Sequence, residues 1–264
     1  MSSDVEEYVI YQIANAPMRE YPYRHFYVEK AFPDEFYAAL RANWPDPSTM
    51  VSISDTGFVT KDSCRERLVL QVRKSGIDKM SEDRRAFWNE FSSWFNSERF
   101  MLAIIKKFER DVNLRFSVPL YRNNFRVNSM VVHDLTNYSL GPHTDSPARL
   151  LSLLFYCPDD DSRKHLGTSI YVPLDPDDRC KGGPHYRYEL FRKVMTMDYK
   201  PNSLFAFFKT DSSFHGVEPI SDQNVQRDLL SYDILVTEPP VQNPPTKTTS
   251  LGIRMLKRLF GGRL

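Results

Sequence analysis

The chain has little cysteine: three residues in 264, Cys64, Cys157 and Cys180, with no C-x-x-C spacing. An odd, scattered set builds neither a disulfide framework nor a thiolate zinc site, and it fits a reducing compartment. An excess of one charge is also missing. Thirty-five Lys and Arg stand against 34 Asp and Glu, a net of +1, so bulk electrostatics gives no pull toward nucleic acid. No run of about 18 apolar residues occurs, so no spanning helix is expected. The opening MSSDVEEYVIYQ has early acids and no apolar h-region, and does not read as a secretory leader. There is no internal repeat. What is present is an ordinary globular composition, 41% hydrophobic and 26% charged, in a chain long enough for one large core. A cytoplasmic protein is expected.

Residues 1–119 read mainly as helix, with some extended pieces. FPDEFYAALRANWPD (32–46) opens on Pro33 and acids, keeps apolar residues at helical spacing and stops at a proline. Within 81–112, Phe87, Trp88, Phe91, Trp94 and Phe95 recur at steps of three and four. That stripe reads as core, and a second helix begins near Ser97. After residue 120 the pattern changes. FRVNSMVVHDL, RLLSLLFYCP, GTSIYVPLD, SLFAFFK and DLLSYDILV are short, rich in β-branched and aromatic residues, and separated by Gly, Pro, Asp and Asn. Helices followed by a block of strands predict an α+β fold, with a sandwich or barrel over 120–237 and a helical N-terminal layer packed on it. Residues 1–237 are expected to form one domain. Residues 176–200 interrupt the strands and read as a lid or insertion. A Pro/Thr-rich linker, 238–250, precedes a basic amphipathic tail, 251–264.

The chemistry centres on GPHTDSP (141–147). Residues i and i+2 of a strand or its exit turn face one side, so His143 and Asp145 can point into one cavity. A third ligand is found in His215, after the apolar strand 204–208 and a polar turn. Two His and one carboxylate form the facial triad of non-haem Fe(II) oxygenases, which leaves positions open for an α-keto acid and O2. The far carboxylate of such an acid needs a cation. Arg227, 12 residues after His215, offers a planar fork that binds carboxylate in a bidentate way. Tyr156 and Ser152 lie four apart on a neighbouring strand and face the same side.

HTD (143–145), SLLFY (152–156), LGTSIYVP (166–173), PNSLFAFF (201–208), FHGVEP (214–219) and Arg227 together resemble the Fe(II)- and 2-oxoglutarate-dependent dioxygenases. They are most similar to the prolyl-hydroxylase-like branch. The resemblance covers roughly residues 120–237. It implies a double-stranded β-helix, a jelly-roll or cupin-like fold. It implies iron held by His143, Asp145 and His215, and 2-oxoglutarate held by Arg227 with Tyr156. Ascorbate would serve as an auxiliary reductant. The implied reaction couples decarboxylation of 2-oxoglutarate, to succinate and CO2, with hydroxylation of an unactivated C–H bond. The chain departs from the branch at His133, which stands where many members carry a tyrosine. Tyr138 is the candidate replacement.

Arg149, directly after the metal turn, is a further candidate for contact with 2-oxoglutarate or an acidic substrate. His165 and His185 read as loop histidines, the latter within reach of substrate if 176–200 is a lid. The substrate is expected to be a small molecule, a sugar or a glycolipid. The alternatives are a protein prolyl or lysyl hydroxylase and a non-catalytic cupin-like binding protein. The tail, acid-free after Glu238, offers a peripheral contact with the inner face of a membrane.

Overall fold

The computed structural model describes residues 2–59, 64–116, 124–221 and 225–237. The linker 238–250 and the tail 251–264, with the membrane contact expected of it, lie outside the described residues. No helix among the described residues is long and apolar enough to cross a membrane. All three cysteines are free thiols.

The strands between residues 125 and 236 alternate between two sheets, except that β7 and β8 are neighbours in one. β4 (Phe125–Leu135), β6 (Arg149–Tyr156), β9 (Ser203–Phe208) and β11 (Gln226–Val236) belong to the larger sheet. β5 (Leu140–His143), β7 (Ser169–Pro173), β8 (Phe191–Thr196) and β10 (His215–Val217) form the smaller one, in the order β5-β10-β7-β8. All pairings are antiparallel. A chain that crosses from sheet to sheet in this way, with β9-β6-β11-β4 facing β5-β10-β7-β8, is a double-stranded β-helix.

The N-terminal part adds three short strands to its helices. β1 (His25–Glu29), β2 (Val51–Ser52) and β3 (Arg67–Gln71) extend the larger sheet at its two edges, giving β1-β9-β6-β11-β4-β3-β2. These strands span two to five residues, too short to show a period of their own. The helices are α1 (Ser2–Asn15), α2 (Asp34–Ala42), the single turn α3 (Lys74–Ile77), α4 (Glu82–Phe95), α5 (Glu98–Lys107) and α6 (Glu109–Arg115). The break near Ser97 has a capping cause: the Ser97 hydroxyl accepts a hydrogen bond from the Phe100 amide at 3.0 Å.

Parity divides the larger sheet into two faces. Leu151, Leu153, Phe155, Leu204, Ala206, Leu230 and Tyr232 meet the helices in one core. The predicted stripe supplies the other half, with Trp88, Phe91, Trp94 and Phe95 buried and Phe91 stacked on Phe95 at 4.5 Å. The opposite face, through Met130, Val132, Tyr156, Phe205, Phe207 and Leu229, packs on Ile170 and Val217 of the smaller sheet. This face also carries the polar side chains that form the site.

Residues 176–200 are not one insertion. Residues 191–196 are β8, a strand of the smaller sheet hidden by its mixed composition. The remainder, 176–190, irregular apart from a 3-10 turn at Tyr188–Leu190, crosses the 143–147 turn as a strap. The Tyr186 amide donates to the Pro142 carbonyl at 2.9 Å, and the Thr144 hydroxyl donates to the Cys180 carbonyl at 2.6 Å. Gly182 is required here. Its φ is +122°, and a Cβ would lie 2.5 Å from the Asp145 carbonyl oxygen.

Candidate metal centre

His143 ends β5 and His215 begins β10, and the two are direct cross-strand partners. Paired side chains leave one face of a sheet about 5 Å apart, so the pairing itself joins the two imidazoles. Their ring centroids are 4.4 Å apart. Asp145 follows two residues later, in the turn toward β6. One ligand atom from each of His143, Asp145 and His215 lies within 4.8 Å of the others, and all three residues are buried.

The donors are oriented by their neighbours. Nδ1 of His143 faces the Gly141 carbonyl at 3.0 Å, and Nδ1 of His215 faces the Ser213 carbonyl at 3.0 Å. A carbonyl only accepts, so each Nδ1 carries the proton and each Nε2 keeps its lone pair. Nε2 of His215 stands 3.9 Å from Oδ1 of Asp145. Burial pushes His143 down to about 3, with His215 adding to the effect. Burial also lowers His215, against the pull of Asp145. Burial works to raise the Asp145 carboxyl, but Arg149, His215, His143 and the Ser152 hydroxyl outweigh it and hold it below the usual carboxylate range. Two neutral imidazoles and an ionised carboxylate are the donor set that a divalent iron ion takes.

Ser152 lies on the expected face and donates to Oδ2 of Asp145 at 2.7 Å, which orients that carboxylate. Partners of this kind fix a ligand's orientation, so Ser152→Ala is expected to weaken Mn(II) or anaerobic Fe(II) binding by about 10- to 100-fold. Calorimetric titration would read the change, and an unaltered affinity would contradict this role.

Arg149 joins Asp145 to a second carboxylate. Its Nη1 lies 3.2 Å from Asp145 and 3.1 Å from Asp233. Asp233 is 1% exposed, and burial raises it to about 6 despite the opposing pull of Arg149. A carboxyl raised on folding favours the folded state where it stays protonated. Its contribution is therefore lost as pH climbs from about 4 through 6, a fall on the order of 3 kcal/mol. In metal-free protein, Asp233→Asn should melt above the wild type at pH 8 and level with it at pH 4. A gap of equal size at both pH values would contradict this origin.

Arg227 points into the interior, as expected, but its donors are occupied. Nε donates to the Leu166 carbonyl at 2.5 Å, Nη1 to Asp134 at 2.6 Å and Nη2 to the Thr168 hydroxyl at 3.4 Å. Tyr156 lies on the same face, its ring 5.7 Å from the Arg227 Cζ, and its hydroxyl accepts from the Thr168 amide at 3.0 Å. Tyr138 is fully buried, and its hydroxyl has no hydrogen-bond partner among the described residues. His133 has the opposite parity. It faces the helices, where Nδ1 meets Asp228 at 2.6 Å and Arg41 binds the same carboxylate at 3.0 Å. It takes no part in the site.

Three residues enter the site that the motifs do not mark: Arg67, Asp134 and Asp233. Asp233 was within reach of the pattern, since it follows Arg227 at steps of two. His185, on the strap, lies with its ring 4.7 Å from that of His143. Arg67 and Asp134 are joined only by the pairing of β3 with β4.

No family model and no curated protein matches the chain. Among solved structures it is similar to a Pseudomonas putida prolyl-4-hydroxylase, at 13% identity, covering 87% of this chain and 98% of that one, with a TM-score of 0.46. It is similar to AviO1 from Streptomyces viridochromogenes Tue57, at 13% identity, covering 90% and 98%, with a TM-score of 0.47. It is also similar to HygX from Streptomyces hygroscopicus, solved with nickel, 2-oxoglutarate and hygromycin B bound, at 11% identity, covering 81% and 83%, with a TM-score of 0.43.

Proposed function

We propose that the chain is an Fe(II)- and 2-oxoglutarate-dependent oxygenase that hydroxylates a C–H bond of a small organic molecule, a sugar or a glycolipid. The carrying observation is the buried convergence of His143, Asp145 and His215, with both imidazoles turned so that Nε2 is free. These three would hold the ion, while Ser152 and Arg149 hold Asp145 in place. Bound there with 2-oxoglutarate and O2, iron supplies the oxidation that places one oxygen atom in succinate and the other in the substrate. The interior around Arg227 and Tyr156 would receive the far carboxylate of 2-oxoglutarate, in a dry, donor-rich setting where charge pairing is strong. The strap supports a small substrate, because its bonds to Pro142 and Thr144 hold it across the 143–147 turn.

The test is turnover of the co-substrate. With Fe(II), O2 and ascorbate as reductant, the protein should convert 2-oxoglutarate slowly to succinate and CO2 without a substrate, and faster with the right one. Iron-loaded protein that forms no succinate above a protein-free control would contradict the proposal.

A further inference from the structure

The strap displays one side chain that the fold does not use. It is tied down on both sides of His185. Ahead of it, the Cys180 amide donates to the Asp211 carbonyl at 2.9 Å, and Gly182 packs against the Asp145 carbonyl. Behind it, the Tyr186 amide donates to the Pro142 carbonyl at 2.9 Å, and the Tyr188 hydroxyl donates to the Val217 carbonyl at 2.7 Å. Gly141 lets the strap come this close. A Cβ there would lie 2.4 Å from the Tyr186 carbonyl oxygen and 3.4 Å from the His185 Cβ. The place of His185 is therefore set by its neighbours and not by bonds of its own.

Its imidazole lies edge-on to the ring of the metal ligand His143, the centroids 4.7 Å apart. The residue is still exposed, and it makes no hydrogen bond or ion pair among the described residues. A side chain placed there for packing would be apolar and covered. At neutral pH an imidazole carries one donor and one acceptor. Held in place beside the metal turn with both unused, it presents a hydrogen-bonding group to a molecule that arrives from solvent.

The charges nearby select that molecule. The guanidiniums of Arg67, Arg149 and Arg227 are paired with the carboxylates of Asp134, Asp145 and Asp233, and their charges cancel. Fe(II) and 2-oxoglutarate carry equal and opposite charges, so filling the site keeps the balance. A charged substrate group would enter without a counter-charge, which is costly, whereas a hydroxyl would need only a hydrogen-bond partner.

Resting on the oxygenase reading, we infer that His185 is a specificity-determining residue that hydrogen-bonds a hydroxyl of an uncharged substrate, an unphosphorylated sugar or cyclitol, and so aims a neighbouring C–H bond at the metal.

The test follows succinate release by the full-length protein with Fe(II), 2-oxoglutarate, O2 and ascorbate. The probes are glucose, N-acetylglucosamine and myo-inositol, each beside its monophosphate. At least one neutral probe should raise succinate release above the probe-free rate, and its phosphate should not. His185→Leu should raise the KM for that probe about 3- to 10-fold, the worth of one neutral hydrogen bond. His185→Gln, which keeps a donor and an acceptor, should restore most of the loss. A second readout needs no turnover. In Mn(II)-loaded protein with 2-oxoglutarate and no O2, the paramagnetic ion should broaden the proton signals of the probe, and broaden them less in His185→Leu. Mn(II) affinity should be the same in all three proteins. The inference is overturned by no stimulation from any neutral probe, by equal stimulation from the phosphates or by an unchanged KM and unchanged broadening in His185→Leu. Equal loss in the Leu and Gln variants, or a loss of Mn(II) affinity in either, overturns it as well. A wild-type protein that forms no succinate above a protein-free control, with or without probes, overturns the oxygenase reading itself, and this inference with it.

Discussion

Asp145→Ala is expected to abolish tight Fe(II) binding and, with it, all succinate formation. The reason lies in what remains. His143 and His215 are neutral, held so by burial and by proton donation to the Gly141 and Ser213 carbonyls. Two imidazoles without a carboxylate give a divalent ion neither a third donor nor a compensating charge. Arg149, released from Asp145, keeps its cation beside the site and repels the ion. The loss of affinity should therefore exceed the roughly 100-fold that removal of an outer partner such as Ser152 costs. The metal-free variant should stay folded, because Arg149 retains Asp233. Anaerobic Fe(II) titration followed by a thermal melt separates the two effects. Retained affinity in a folded variant would remove Asp145 from the ligand set.

Asp134→Ala should be the most damaging substitution for stability. Asp134 is fully buried and takes three charge-assisted bonds from Arg67 and Arg227. Without it, two guanidiniums face one another in the sheet interior with no counter-charge. Breaking a buried pair by removing one partner costs about 3–5 kcal/mol. In a chain of this size that corresponds to a fall in melting temperature of about 10 °C. The double variant Asp134→Ala/Arg67→Ala removes one of the stranded cations and should recover part of the loss, which a double-mutant cycle would read as coupling. A single variant that melts with the wild type would show that the cluster bears no net strain on the fold.

The pattern of legibility follows from range. Strands β4, β6, β9 and β11 are long and apolar enough to be read along the chain. The aromatic stripe of α4 carries its period openly. His143, Asp145 and His215 could be named because their order and local spacing mark a metal turn and a distal ligand. The cross-strand pair that joins the two histidines needed β5 and β10, strands of four and three residues with no pattern to detect. Parity explains the rest. His133 lies on a strand whose odd residues face the helices, so a position counted back from His143 led to the wrong side of the sheet. Ser152 was on the expected face, and its bond to Asp145 could be seen only once β6 was placed beside the 143–147 turn. Arg67, unlike Arg227, was invisible. Its partner Asp134 lies 67 residues away and meets it only when the N-terminal strand docks on the β-helix.

The central claim is that one iron ion and one 2-oxoglutarate share the interior between the two sheets. Anaerobic addition of 2-oxoglutarate to Fe(II)-loaded protein tests it most directly. The account predicts a weak visible charge-transfer band that requires both components, is absent in Asp145→Ala and is weakened in Arg227→Ala. A folded protein that binds Fe(II) and shows no band at any concentration of the keto acid would contradict it.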